Sequence, residues 1–403
     1  MGQRSIRTQV GIVGAGPAGL LLSHLLHLQG IESVVLESRS REYVEQRVRA
    51  GVLEDATVRL FREAGLAERL DREALIHEGI ELRFEGSGHR IALTELTGRS
   101  IWIYGQQEVV KDLIAARLGA EGKILFEAGV RAQDIDVTGC SIRFRQGAGE
   151  HVLDCDFIAG CDGFHGVTRD ALPRDALRAY HHEYPFAWLG ILAAVPPSTD
   201  ELIYASHDRG FALHSLRSPE LSRLYLQVAP DEDIERWPDD RIWEELGIRL
   251  SDDHGWTLKE GPVIEKGIAL MRSFVVEPMQ VDRVFLAGDA AHIVPATGAK
   301  GLNLAVHDVR VLAEGLAEHY RMGGTDGLDR YTARCLERVW RVQEFSSSMS
   351  SMLHRLPEDD GGFGRRLQLA RLRYVTSSEA AARSLAENYV GMPHEGTSER
   401  SAP

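Results

Sequence analysis

The segment Gly14-Ala15-Gly16-Pro17-Ala18-Gly19 constrains this chain more than any other. The apolar run 10–13 precedes it, and residues 17–29 carry helical spacing that Gly30 stops. A second strand-like run, 33–37, follows. Strand, glycine turn, helix and strand in that order predict a βαβ unit. The glycines divide the work. One permits the tight turn, one lets backbone approach a pyrophosphate, and one lets helix pack on strand. The helix start then offers free N–H groups and a positive dipole end to phosphate charge. Glu37 ends the second strand, near the offset at which an acid accepts hydrogen bonds from an adenosine ribose. The unit predicts a dinucleotide pocket, and alone it does not separate FAD from NAD.

A chain of 403 residues suggests two or three domains. Its formal net charge is −14, and no segment gathers Lys and Arg into the stripe that a nucleic acid would need. Cys140, Cys155, Cys161 and Cys335 show no metal-ligand spacing and read as reduced thiols of a cytoplasmic protein. The apolar run 20–28 is broken by Ser23, His24 and His27, and Ile6 stands where a myristoylation signal wants Ser or Thr. No membrane partner is expected.

Helical patterns recur at 54–64 and 107–118, with sheet-like runs at 79–84 and 100–103 outside the nucleotide fold. Runs 141–145 and 151–159 read as strands leading to Gly160-Cys161-Asp162-Gly163. From Tyr184 to Arg272 strand-like runs (188–194, 201–205, 210–215, 223–228) predict a mixed or antiparallel sheet, with a helix near 239–249. A buried strand at 283–287 leads into Gly288-Asp289 and a long helical region to about His354. The fold class is α/β (α+β overall). It comprises a Rossmann-like dinucleotide-binding domain (1–180, completed by about 272–350), a substrate sheet domain (181–271) and a C-terminal helical region (351–393). The polar tail 394–403 reads as disordered.

Two later motifs favour FAD. Asp289, after a strand and Gly288, can accept from the hydroxyls of a ribityl chain, which NAD lacks. Gly298-Ala299-Lys300-Gly301-Leu302-Asn303 can aim backbone N–H groups at the electron-rich edge of an isoalloxazine. Asp162-Gly163 adds a third contact region. Taken singly, each also reads as a cap or a turn.

These three motifs, in this order and spacing, resemble the class A flavoprotein aromatic hydroxylases. The resemblance runs from about Thr8 to Pro393. It is carried by Arg47-Val48-Arg49-Ala50-Gly51-Val52-Leu53-Glu54, Gly160-Cys161-Asp162-Gly163-Phe164-His165-Gly166, Tyr184-Pro185-Phe186-Ala187-Trp188-Leu189-Gly190, Met271-Arg272-Ser273-Phe274 and Glu387-Asn388-Tyr389-Val390-Gly391. It implies an FAD-dependent monooxygenase that uses dioxygen and NADH or NADPH. The implied reaction takes 4-hydroxybenzoate to 3,4-dihydroxybenzoate. Other benzoates, a flavin reductase and a flavin-binding sensor are the rival readings. Relatives of this kind are often dimers, so a homodimer is an open expectation.

By the same resemblance Ser215, Arg217 and Tyr225 bind the substrate carboxylate. Tyr204 touches the phenol oxygen, Tyr389 continues the relay, and His77, with a pKa near neutral, passes the proton to solvent. Arg47, Arg49 and Gln106 join Gly14, Gly16, Gly19, Glu37, Asp162, Asp289, Gly301 and Leu302 at the FAD. Arg223 and Asn303 hold or guide the isoalloxazine. His165, Arg169 and Arg272 handle the nicotinamide nucleotide. Two departures stand out. Ala296 replaces a proline whose carbonyl faces the substrate, which removes a fixed φ. Ser38, with Tyr43 nearby, replaces an arginine that pairs with the 2′-phosphate of NADPH, which favours NADH.

Overall fold

The computed structural model describes residues 4–47, 51–356 and 362–392. Its nucleotide half is built on a six-stranded sheet in the order Gln280–Val281, Val284–Leu286, Phe157–Gly160, Val10–Val13, Ser33–Leu36 and Lys123–Leu125. All neighbours are parallel except Gln280–Val281 against Val284–Leu286. Val10–Val13 and Ser33–Leu36 are buried throughout, as a sheet covered on both faces requires. The predicted βαβ unit is present, with its helix at Pro17–Leu28.

The predicted strand 151–159 is two strands. Gly149–Asp154 pairs with Arg4–Arg7 and Ser141–Gln146 in a separate sheet, while Phe157–Gly160 enters the central one. The chain changes sheets at Cys155 and Asp156, whose N–H groups bond to Cys140 and Gln9 instead of continuing one ladder.

The second sheet has eight strands in the order His292–Ile293, Val263–Glu277, Arg178–Ala193, Leu221–Val228, Gly210–Ser218, Leu202–His207, Ile80–Phe84 and Ser87–Ile91. It is antiparallel except where Leu202–His207 lies parallel to Ile80–Phe84. One face packs Leu224, Leu226, Ile203 and Ala212 on Trp243 and Leu246 of the helix Asp239–Leu250. The other face meets the C-terminal helices through Trp188, Tyr204, Phe211 and Leu213. Strand alternation separates the two. Along Leu221–Val228 the residues Ser222, Leu224, Leu226 and Val228 are buried, whereas Arg223, Tyr225 and Gln227 are half-buried on the second face.

The helix read as starting at Gly288 starts later. Gly288–Ala290 and Ala296–Gly298 are 3₁₀ turns flanking a short strand, and the long helix is Gly301–Met322. Gly288 (φ +63°) and Ala299 (φ +54°) both sit in the left-handed region, which no continuous right-handed helix accommodates. The helices Tyr331–Leu353, Phe363–Ser377 and Glu379–Val390 complete the predicted helical C-terminal region. Arg49 and the tail 394–403 lie outside the described residues. Among those described, no helix is long and apolar enough to cross a membrane.

Candidate active site

The glycine turn is built as its chemistry requires. A Cβ on Gly14 (φ +102°) would lie 2.5 Å from the Cys161 carbonyl oxygen, so this turn packs directly on the Asp162-Gly163 segment. A Cβ on Gly19 would lie 2.0 Å from the Gly14 carbonyl, which fixes how closely the helix approaches the strand. Around Gly16 nothing lies within 4 Å of the corresponding position. That open backbone at the start of a twelve-residue helix fits a pyrophosphate. Glu37 accepts the Ala15 N–H at 2.8 Å with one oxygen and the Arg39 N–H at 2.8 Å with the other. Ser38 donates to the same carboxylate at 3.3 Å.

Other expected FAD residues sit as follows. Asp162 accepts from the Val167 and Thr168 N–H groups at 2.7 and 2.9 Å with Oδ2, while its buried Oδ1 has no partner. Burial raises its pKa against these hydrogen bonds. Asp289 is exposed on its turn, Arg47 is exposed, and Gln106 opens the helix Gln106–Gly119. Gly301 and Leu302 open the long helix. Asn303 spends its whole amide on protein. Oδ1 accepts from Glu54 N–H and the Thr57 hydroxyl at 2.9 and 2.8 Å, and Nδ2 donates to the Val52 and Ala299 carbonyls at 2.9 and 3.3 Å. It ties the strand Val52–Glu54 to the helix start.

The residues expected around the substrate share one face of the eight-stranded sheet. Tyr204 stands opposite Leu213, Leu213 opposite Tyr225, and Ser215 opposite Arg223. Gly190, opposite Tyr225, leaves room there: a Cβ would lie 2.9 Å from Arg223 Nη2 and 3.3 Å from the Tyr225 ring. Arg217 donates to Ser215 Oγ at 3.3 Å and to Tyr225 Oη at 3.5 Å. Its buried Nε has no acceptor, and among the described residues no carboxylate pairs with it. Burial lowers its pKa. A guanidinium desolvated without a counter-ion is costly, and a carboxylate ligand removes that cost.

Tyr389, on Glu379–Val390, places its hydroxyl 2.6 Å from that of Tyr204. Burial pushes both phenols up, so both are neutral hydroxyls able to donate and accept at once. His77 departs from expectation. It is 1% exposed, neither ring nitrogen has a partner, and burial lowers its pKa to about 4. Ala296 is exposed, and its carbonyl accepts the Ala299 N–H at 2.9 Å within the turn.

His165, Arg169 and Arg272 converge on one ring. The guanidinium carbons of Arg169 and Arg272 lie 5.2 and 5.1 Å from the Phe164 centroid, and the His165 ring packs edge-on at 4.9 Å. Arg169 also donates to the Phe164 and Ala290 carbonyls at 2.6 and 2.9 Å, joining the Asp162 loop to the Asp289 turn. Ser38 and Tyr43 lie apart from this cluster in sequence, in the bend after the strand Ser33–Leu36 and on the helix Arg41–Gln46.

One constellation escaped the sequence reading. Lys300, 1% exposed, donates to Glu54 Oε1 at 2.8 Å and to the Tyr389 carbonyl at 2.6 Å, and Arg338 pairs with the other Glu54 oxygen. Burial lowers the Lys300 pKa, against the attraction of Glu54. This cluster joins the 296–301 loop to the helix that bears Tyr389. A lysine set between glycines in an apolar stretch was its only sequence signal.

The family model described as FAD binding domain matches residues 7–346. The chain belongs to the FAD-dependent aromatic hydroxylases and is an enzyme of that class. It is 47% identical over 394 residues to the p-hydroxybenzoate hydroxylase of Acinetobacter baylyi, covering 97% of each chain. A 3-(3-hydroxy-phenyl)propionate/3-hydroxycinnamic acid hydroxylase of Paraburkholderia xenovorans is 28% identical, over 82% of this chain and 53% of its own length. In fold, the p-nitrophenol 4-monooxygenase of Pseudomonas putida superposes with a TM-score of 0.80 at 20% identity, covering 97% of this chain and 100% of that one.

Proposed function

We propose that this chain hydroxylates 4-hydroxybenzoate at the 3-position. The balance is one dioxygen and one NAD(P)H with a proton consumed, one oxygen atom entering the ring and the other leaving as water. The observation that carries the reading is Arg217: a half-buried cation, its Nε buried without an acceptor, with Ser215 and Tyr225 beside it on the face that also holds Tyr204. Tyr204 and Tyr225 lie two strands apart, about 10 Å at the backbone. A ring with carboxylate and hydroxyl in para relation can reach the arginine with one end and the tyrosine pair with the other.

FAD, when bound and reduced, supplies the activation of dioxygen. The chain supplies the rest. Arg217, Ser215 and Tyr225 orient the acid. Tyr204 accepts the phenol proton while donating its own to Tyr389, which makes the ring electron-rich at the carbon to be hydroxylated. His77, neutral at working pH, extends the path if a movement opens it to solvent. Gly14, Gly16, Gly19, Glu37 and the 288–303 segment hold the cofactor, and the wall of Trp188, Phe211 and Leu213 keeps water from the site.

NADH is the reductant this reading favours. Arg41 is engaged by Glu45 at 2.7 Å and Arg39 stacks over Tyr43. Ser38 in place of an arginine, with Glu42 and Glu45 adding negative charge nearby, weakens a 2′-phosphate contact although Arg39 and Arg41 remain at the surface. We further propose a cytoplasmic location, a division into 1–180 (completed by about 272–350), 181–271 and 351–393, and a homodimer, for which exposed Phe363, Leu367 and Tyr374 offer an apolar stripe. Light scattering tests the dimer. Oxygen uptake and product identification with 4-hydroxybenzoate, 3-hydroxybenzoate, 4-aminobenzoate and 3,4-dihydroxybenzoate test the substrate.

A further inference from the structure

Asp308 lies fully buried on the helix Gly301–Met322. Its Oδ2 accepts the Gly288 N–H at 2.9 Å and lies 2.6 Å from His292 Nε2. One carboxylate oxygen therefore grips both ends of the segment 288–292. Between those ends only Asp289 is exposed. The segment is also wedged: a Cβ on Gly288 would lie 3.2 Å from the Ala305 Cβ and 3.6 Å from the Ala18 Cβ, on the two helices that flank it. Tyr331 props the strand before it by donating to the Leu286 carbonyl at 2.8 Å.

We propose that Asp308 is a positioning residue for the cofactor: it clamps Gly288 and His292 and so presets Asp289 to receive FAD. The inference rests on the FAD-site reading of the 288–303 segment. Preorganisation gives the clamp its effect, because a turn already held in place loses little freedom when the ligand binds. Burial works against a charged His292, yet Asp308, with Asp289 adding, raises its pKa. Tyr331, Cys335, Cys161 and His307 also lie within electrostatic reach of Asp308; burial raises the pKa of the first three and lowers that of His307, in each case favouring the neutral form.

The test is FAD titration of the apoprotein by flavin fluorescence, with apoprotein melting followed in parallel. Asp308→Asn and His292→Leu are expected to raise the FAD Kd about tenfold or more, the range for losing a charged hydrogen bond. His292→Gln, whose amide can still donate to Oδ2, is expected to stay within about threefold of the wild type. If Asp308→Asn fails to fold, the two His292 variants carry the comparison. Unchanged Kd in Asp308→Asn and His292→Leu would overturn the proposal. So would losses that follow apoprotein melting equally in all three variants. A wild-type chain that fails to bind FAD would overturn the FAD-site reading itself.

Discussion

Tyr204 and Tyr389 stand 185 positions apart in sequence, yet their hydroxyl groups lie 2.6 Å from one another in the buried space between the sheet and the C-terminal helices. The pair is far from the carboxylate end of the site, so its loss should separate chemistry from binding. Tyr389→Phe is expected to lower kcat tenfold or more and to leave KM for the aromatic acid within about threefold. Steady-state kinetics checks the split, and a rise in KM alone would contradict it.

Arg217 has the opposite profile. Arg217→Met removes a charged donor pair from the ligand and should weaken binding of the aromatic acid about a hundredfold. It also removes a half-buried cation that no carboxylate pairs among the described residues, so the ligand-free protein should melt no lower than the wild type. Calorimetric titration and thermal melting together check this. Lower stability with unchanged affinity would assign Arg217 to the fold.

The glycine turn makes a paired prediction. Gly16 has an extended backbone and open space, so Gly16→Ala should fold like the wild type and bind FAD at least tenfold more weakly. Gly19→Ala puts a Cβ 2.0 Å from the Gly14 carbonyl and should destabilise the apoprotein by about 1–3 kcal/mol. Denaturant unfolding and FAD titration of both variants distinguish the two roles.

Why these features were readable differs from residue to residue. The βαβ unit was legible because its glycines, periodicity and acid are local, and local patterns report backbone needs. Arg217 entered only through family resemblance, since a strand-end arginine looks like any solvated charge until the fold shows it half-buried beside Ser215 and Tyr225. The Lys300–Glu54–Arg338 cluster and the Asp308 clamp were hidden, because their partners lie far apart in the chain or across a turn misread as helix. For His77 the residue type suggested a near-neutral base, whereas burial lowers its pKa to about 4.

Buried histidines also set an acid limit. His77 and His214 have folded pKa values of about 4, and His354 about 3, all depressed by burial. Below the unfolded value, near 6.5, the unfolded chain binds protons that the folded chain refuses. The contribution of these three histidines is therefore expected to be level above about pH 7 and to fall from about pH 6.5 towards 4, each adding up to about 1.4 kcal/mol per pH unit, while His292, whose pKa is raised, contributes a slope of the opposite sign at higher pH. Urea unfolding across that range checks it, and a flat profile down to pH 5 would contradict it.

In the proposed reaction a site made of Arg217, Ser215, Tyr225, Tyr204 and Tyr389 directs oxygen onto a para-hydroxylated benzoate. Aerobic turnover of the FAD-loaded protein with NADH, 4-hydroxybenzoate and isotopically labelled dioxygen tests it most directly. The expected result is 3,4-dihydroxybenzoate carrying one labelled oxygen atom, formed in step with NADH oxidation. NADH or NADPH oxidation without labelled aromatic product, or no stimulation by 4-hydroxybenzoate, would contradict it.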